Sequence, residues 1–278
     1  MFADYKNRRI SPAGAFAGRH VLITGATGGI GSALSAEFAK EGCKISAVAR
    51  REDRLFDLAE WVRELGGKCN IIAKNLACEK SYPEIIGSAE KVFGAVEVAF
   101  FTAGILPFGR VFNCETDEIA EAIKVNLVSP IALTSLILPN MIRNEYGRIC
   151  AISSLAARLP IPRMSVYSAS KAGLSAFCET ASDELRGTGV SLTCVEPRGV
   201  ATSMINFLHD SYVRMGWQID PAKEVAYKIL RATALGKQSV ALGNLEKLFI
   251  EFASLFPTIR KPILRKAEKV FSRMDSSN

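Results

Sequence analysis

The sequence predicts an α/β fold: a single domain on a doubly wound parallel sheet of about seven strands, with helices on both faces. Three observations lead there. Strand-like runs recur at 20–24, 44–49, 69–73, 96–101, 148–153, 190–196 and 238–242, and helical patterns lie between most of them. Runs such as Val96–Phe101 and Arg148–Ile152 are mostly apolar, as strands buried on both faces must be. The first run leads directly into a glycine-rich turn and a helix.

Within 278 residues no linker or repeat marks a second domain. The expected layout is an N-terminal arm at 1–17, the α/β domain at 18–243 with a lid around 198–220, and a basic amphipathic extension at 244–278.

The strand His20–Thr24 is followed by Gly25-Ala26-Thr27-Gly28-Gly29-Ile30-Gly31. Ala33, Leu34, Ala36, Phe38 and Ala39 then fall on helical spacing. Glycines permit a tight turn and let backbone approach a pyrophosphate. The helix N-terminus adds N–H groups and a partial positive charge. This is the Rossmann-type nucleotide signature, with Gly25, Thr27, Gly28, Gly29, Ile30 and Gly31 as its contacts. An ordinary glycine turn is the plainer reading, and the flanking strand and helix weigh against it.

The second strand ends at Ala49 and is followed by Arg50 and Arg51. An acid here would hold the ribose hydroxyls of NAD. Arginine instead offers a planar fork to a phosphate, which favours NADP(H). The competing reading has both arginines solvated, with Glu52 and Asp53 partly neutralising them.

Farther on, Tyr167 and Lys171 are four residues apart, and Ser154 lies thirteen before the tyrosine. Positions i and i+4 of a helix share a face, with Cβ atoms roughly 5–6 Å apart. An ammonium beside a phenol favours the phenolate and lowers its pKa from about 10. Such a tyrosine exchanges a proton with a carbonyl oxygen that the Ser154 hydroxyl can hold. Tyr-x-x-x-Lys alone is a weak signal; downstream of the glycine turn it is a strong one. In the apolar helical stretch Val125–Leu138, Pro130 is expected to interrupt the helix, and an irregular turn near Asn126 to expose backbone.

With these residues the chain resembles a classical short-chain dehydrogenase/reductase over roughly Gly18 to Gly243. Thr24-Gly25-x-x-x-Gly29-x-Gly31 matches the cofactor motif of that family. Ser154, Tyr167 and Lys171 match its catalytic residues, and Asn126 matches the asparagine of its tetrad. The resemblance implies that Asn75 and Leu76 lie near the adenine, and Ala103 and Gly104 after the fourth strand. It places Pro197, Arg198, Val200 and Thr202 at the nicotinamide end, and it implies a homodimer or homotetramer paired through the helices around 115–142 and 165–187. Three departures stand out: Thr102 replaces an asparagine, Asn75 an aspartate and Arg198 a glycine. Thr102 is expected to hydrogen-bond locally. Arg198 is expected to meet an acidic substrate group, the cofactor phosphates or solvent. Gly25, Gly28 and Gly31 also fit the spacing of the extended branch, with its epimerases and dehydratases; the chain length argues against it.

Composition, at 49% apolar and 23% charged, excludes a disordered or fibrous chain. Seven cysteines without Cys-x-x-Cys argue for free thiols rather than a disulfide frame. No zinc is expected, because only His20 and His209 are present and no ligand spacing appears. His20 is expected to pack at a strand start; a small role against substrate is left for His209. No signal-peptide core and no uncharged apolar run of about 18 residues is seen, so a cytoplasmic location without a membrane span is expected. The net charge of +7 is partly local: from Pro257 to Asn278 six Lys or Arg face two acids. No aromatics interleave those cations, which argues against nucleic acid.

In the extension, Leu245, Leu248, Phe249, Phe252, Leu255 and Phe256 fall at helical spacing. Ile263, Leu264, Ala267, Val270 and Phe271 form a second apolar stripe among basic residues. It is expected to pack on the body or a subunit, or to touch a membrane peripherally. In the lid, Met204, Phe207, Leu208, Tyr212, Met215 and Trp217 favour an apolar small-molecule carbonyl or alcohol, unless they only close the core. The reading is an NADP(H)-dependent oxidoreductase that reversibly reduces an apolar ketone or aldehyde. Its alternative is a non-catalytic nucleotide-binding scaffold or sensor that docks through the tail.

Overall fold

The structure is a computed structural model and describes residues 14–243 and 256–274. Seven strands form one sheet: β1 (His20–Thr24), β2 (Lys44–Ala49), β3 (Lys68–Ala73), β4 (Val98–Phe101), β5 (Gly147–Ile152), β6 (Val190–Pro197) and β9 (Ser239–Leu242). Their order is β3-β2-β1-β4-β5-β6-β9, and every pairing is parallel. The expected strands are all found, each end within about two residues. The pair β7 (Gly199–Ala201) and β8 (Ile219–Pro221) stands apart as a small second sheet in the lid. Strands of three residues leave no pattern to read.

The winding reverses between β1 and β4, which are neighbours in the sheet although β2 and β3 intervene in sequence. A crevice opens at such a reversal beyond the strand ends. One face of the sheet is covered by α1 (Gly29–Lys40), α2 (Glu52–Glu64) and α8 (Ala222–Ala234), through Leu34, Phe38, Leu55, Val62, Val225 and Ile229. The other carries α3 (Ser81–Phe93), α5 (Ser129–Arg143) and α6 (Ser165–Glu184), through Ile85, Leu133, Ile137, Leu174 and Cys178. The predicted arm needs one correction: Phe16 is buried in the core, edge-on to Phe38 and Phe100. Residues 1–13 lie outside the described part.

The helix expected over 125–138 is longer, and its irregular turn falls at Asn126 as expected. The helix α4 (Thr116–Ile123), a π-turn (Lys124–Val128) and α5 form one run. Pro130 starts α5 rather than interrupting it. Its missing N–H falls where the π-turn has already shifted the ladder, with Ser129 N bonding Lys124 O. The run Thr116–Arg143 has the length and apolarity of a membrane-crossing helix, which the sequence reading had not anticipated. In the fold it is a packed layer, with Val125, Leu133, Ile137 and Met141 buried.

A third apolar cluster joins the lid to the end of the chain. Helix α7 (His209–Met215) supplies Tyr212 and Met215, and α9 (Arg260–Phe271) supplies Ala267, Val270 and Phe271. The second predicted stripe therefore packs on the body. Leu245 to Leu255 of the first stripe lie outside the described residues, and Phe256 is exposed.

Candidate active site

The crevice is a cavity of about 1470 Å³. Its floor is the glycine turn. Gly25 sits at φ +67°, and a Cβ there would stand 2.7 Å from the backbone of Ala103. A Cβ on Gly31 would stand 2.2 Å from the Gly25 carbonyl oxygen, and one on Gly29 2.5 Å from Thr202 Cγ2. The turn is thus wedged between β4 and the lid, and only glycine fits. Gly28 caps α1 with no side-chain bond, so first-turn N–H groups stay available.

All the predicted cofactor residues line this cavity: Thr27, Gly28 and Ile30 at the floor, Asn75, Leu76, Ala103 and Gly104 along the side, Pro197, Val200 and Thr202 beneath the lid. Asn75 Oδ1 accepts the Ala77 N–H at 3.0 Å, which shapes the loop after β3. Thr102 Oγ1 donates to Thr24 O at 2.7 Å, not within its own loop as expected but across the sheet, and ties β4 to β1.

Arg50 and Arg51 line one end, joined by Arg54 and Lys74, which sequence reasoning missed. Arg54 follows Arg51 by one helical turn, and that spacing was a usable signal. Both arginines keep acidic neighbours, Asp53 as the competing reading held and Glu121, which it did not name. Arg50 pairs with Glu121 at 3.1 Å and Arg51 with Asp53 at 2.6 Å. Both are exposed pairs, weak enough to yield to a phosphate.

Ser154, Tyr167 and Lys171 come together in the lining of the same cavity. Ser154 lies two residues beyond the end of β5, accepts Ala156 N–H at 3.1 Å and hydrogen-bonds the Tyr167 phenol. Lys171 Nζ donates to Ile152 O at 2.7 Å and lies 5.8 Å from the Tyr167 ring centroid. Burial lowers the Lys171 ammonium from 10.5 to about 8. The expectation that lysine depresses the tyrosine is not met in this state. Burial raises the phenol above its ordinary value, and the bond from Ser154 only partly offsets it. The ammonium is turned to the Ile152 carbonyl rather than to the phenol oxygen.

Asn126 alone among the predicted catalytic and cofactor residues does not line the cavity. It lies behind it, 1% exposed, with both amide N–H groups and Oδ1 bonded to protein. Oδ1 accepts Ile105 N–H at 2.8 Å; Nδ2 donates to Ile105 O at 2.9 Å and to Ser170 Oγ at 3.0 Å. The side chain clamps the loop after β4 to α6, beside Lys171.

Arg198 also corrects an expectation. It lines the cavity, but its guanidinium is gripped by Asp220, Nε to Oδ2 at 3.0 Å and Nη2 to Oδ1 at 2.6 Å. Its charge is answered inside the protein, so neither substrate nor solvent is its main partner. Met204, Tyr212 and Trp217 of the lid line the cavity, whereas Leu208 and Met215 close the core. Ile263 of α9 reaches the wall, an unforeseen contribution. His209 is exposed beside Asp210, outside the cavity. His20 is buried at the start of β1, with Nε2 at 2.9 Å from Ser46 Oγ. Among the described residues no group of His, Cys, Asp or Glu is arranged for a metal.

A glycine turn, an open helix N-terminus and the cluster of Ser154, Tyr167 and Lys171 beyond the strand ends mark a nucleotide-binding protein of Rossmann type. The family described as short chain dehydrogenase matches residues 19–212. The ketoacyl reductase HetN of Nostoc sp. is 31% identical over 248 residues, covering 87% of this chain and 86% of that protein. The 11-beta-hydroxysteroid dehydrogenase A of Sesamum indicum is 34% identical over 65% of this chain and 52% of its own. The crystal structure of levodione reductase superposes with a TM-score of 0.75 at 20% identity, over 81% of this chain and 96% of that one, a likeness of fold. The chain belongs to the short chain dehydrogenase family, whose members use a nicotinamide cofactor, NAD or NADP.

Proposed function

We propose that the protein is an NADP(H)-dependent reductase that converts an apolar ketone or aldehyde to its alcohol, reversibly. The observation that carries this reading is the meeting of Ser154, Tyr167 and Lys171 between the glycine floor and an apolar wall. The floor fits a dinucleotide: its glycines leave no Cβ in the way, and the α1 N–H groups suit a pyrophosphate. The cations Arg50, Arg51, Arg54 and Lys74 suit a ribose phosphate, which supports NADP over NAD. A bound nicotinamide would supply the hydride.

The chain's own residues handle the proton. Ser154 Oγ holds the carbonyl oxygen, and Tyr167 gives its phenolic proton to that oxygen as the carbon is reduced. Lys171 stabilises the phenolate left behind. In the oxidative direction the phenolate takes the proton back. Leu106, Ile161, Met164, Met204, Trp217 and Ile263 make the far wall apolar, which favours an apolar substrate. Leu136 and Ile142 are exposed on α5 and support pairing of two copies through that helix.

The test is NADPH and NADH oxidation against a panel of apolar ketones and aldehydes. Wild type should consume NADPH in preference. Tyr167→Phe should lose about 10²- to 10⁴-fold in turnover with nucleotide binding retained. A fully active Tyr167→Phe, or no turnover by wild type with any carbonyl, overturns the reading.

A further inference from the structure

Helix α9 has two unlike faces. Ala267, Val270 and Phe271 are buried against the lid. Lys261, Arg265, Lys266 and Lys269 are exposed. Three of them, at four-residue spacing, make one stripe. The one carboxylate on the helix, Glu268, is already engaged by Arg110 and Arg163. Among the described residues no carboxylate pairs with the four cations.

A second observation is independent of charge. Phe112 is 75% exposed, Val213 63% and Phe207 50%. Each belongs to a segment in contact with α9. Phe207 lies edge-on to Phe108, which lies edge-on to Phe271. Arg110 covers the Phe112 ring and pairs with Glu268. Val213 is on α7, which packs against α9. Exposed cations and exposed apolar groups therefore share α9 and the segments packed around it, and Ile263 of the same helix forms part of the cavity wall.

Few partners satisfy both. A nucleic acid answers the charge but offers no apolar phase to Val213. An apolar protein surface answers the Phe and Val groups and leaves the cations unmatched. An anionic lipid surface takes the cations at its headgroups and the Phe and Val side chains at its interface. We propose that this face docks the protein on a membrane surface rich in anionic lipid, with the apolar end of the cavity turned toward the bilayer. Helix α9 acts as a basic plate held by its apolar face to the body, not as a helix that inserts that face in lipid. The docking needs no turnover, so it stands or falls apart from the reductase reading.

The experiment is co-sedimentation of the full chain with vesicles of phosphatidylcholine alone and of phosphatidylcholine with about one-third phosphatidylglycerol. Binding to the anionic vesicles should exceed binding to the neutral ones by at least about tenfold and should fall as salt is raised. Lys261→Glu/Arg265→Glu/Lys269→Glu should lose at least about tenfold in vesicle binding, as should Phe112→Ser/Phe207→Ser, with unchanged thermal unfolding. All five positions are exposed, so either variant should fold. Equal binding to both vesicles, no binding to either, or undiminished binding by both variants overturns the proposal. So does binding to a DNA duplex in preference to the anionic vesicles.

Discussion

Arg198 and Asp220 form a two-pronged ion pair across the base of the lid, with contacts of 3.0 and 2.6 Å. Arg198 immediately precedes β7, and Asp220 lies in β8 opposite Val200. The pair locks the small parallel ladder on which the lid is hung. Asp220→Ala should cost about 2 kcal/mol, the size of a lost charged hydrogen-bond pair. Because Pro197, Val200 and Thr202 line the cavity from the same segment, NADPH affinity should also fall, about tenfold. Denaturant unfolding and calorimetric titration with NADPH check the two outcomes.

Lys171 gives a pH signature. Its pKa is lowered from 10.5 to about 8 in the folded chain, so between those values the unfolded state binds more protons. Stability contributed by this site therefore rises with pH through that window; below about 8 the full penalty of burying the ammonium is present. Lys171→Met removes the penalty, so its stability relative to wild type should be greatest near neutral pH. That advantage should shrink toward pH 10.5, by at most roughly 3 kcal/mol. Urea unfolding of both proteins across the window measures it, and a constant difference refutes it.

Gly31 has no room for a side chain, its Cβ position being 2.2 Å from the Gly25 oxygen. Gly31→Ala must displace the turn from the path of the nucleotide. Binding of NADPH should weaken at least about hundredfold, equivalent to roughly 3 kcal/mol. Fluorescence titration reads it, and circular dichroism confirms that the sheet remains.

Phe271 holds α9 to the lid through Phe108 and Trp217, at ring separations of 5.3 and 6.3 Å. Truncating a fully buried phenylalanine costs about 3–5 kcal/mol. Phe271→Ala should release α9, and amide exchange over 209–215 should quicken more than tenfold, equivalent to about 1.4 kcal/mol of lost protection. Unchanged exchange there would mean the lid is held without α9.

The sheet was legible because strands buried on both faces must be apolar, and Leu22, Ile23, Val98 and Phe100 leave no other reading. The floor and the triad were legible because their spacing is local: a glycine turn, and an i, i+4 pair. What escaped the sequence depends on distant partners. Ile263, Leu264, Ala267, Val270 and Phe271 advertise a buried face without naming the lid as its cover. Arg198 announces a charge but not Asp220. Lys74 lies on the loop after β3, and only the sheet order brings it beside Arg51. The phenol shift of Tyr167 depends on burial, which no spacing reveals.

The wall that α9 gives the cavity sets an order of assembly. The glycine floor and the first strands emerge early in synthesis, whereas Ile263 and Phe271 are made after every strand of the sheet. Until they dock, Trp217, Tyr212 and Met215 face an open bay. A nascent chain thus passes through a stage with its nucleotide cradle framed and its greasy flank bare, the kind of species that aggregates unless sheltered. Late closure by the last helix makes the yield of soluble protein, and not only its catalysis, sensitive to the final turns of the fold.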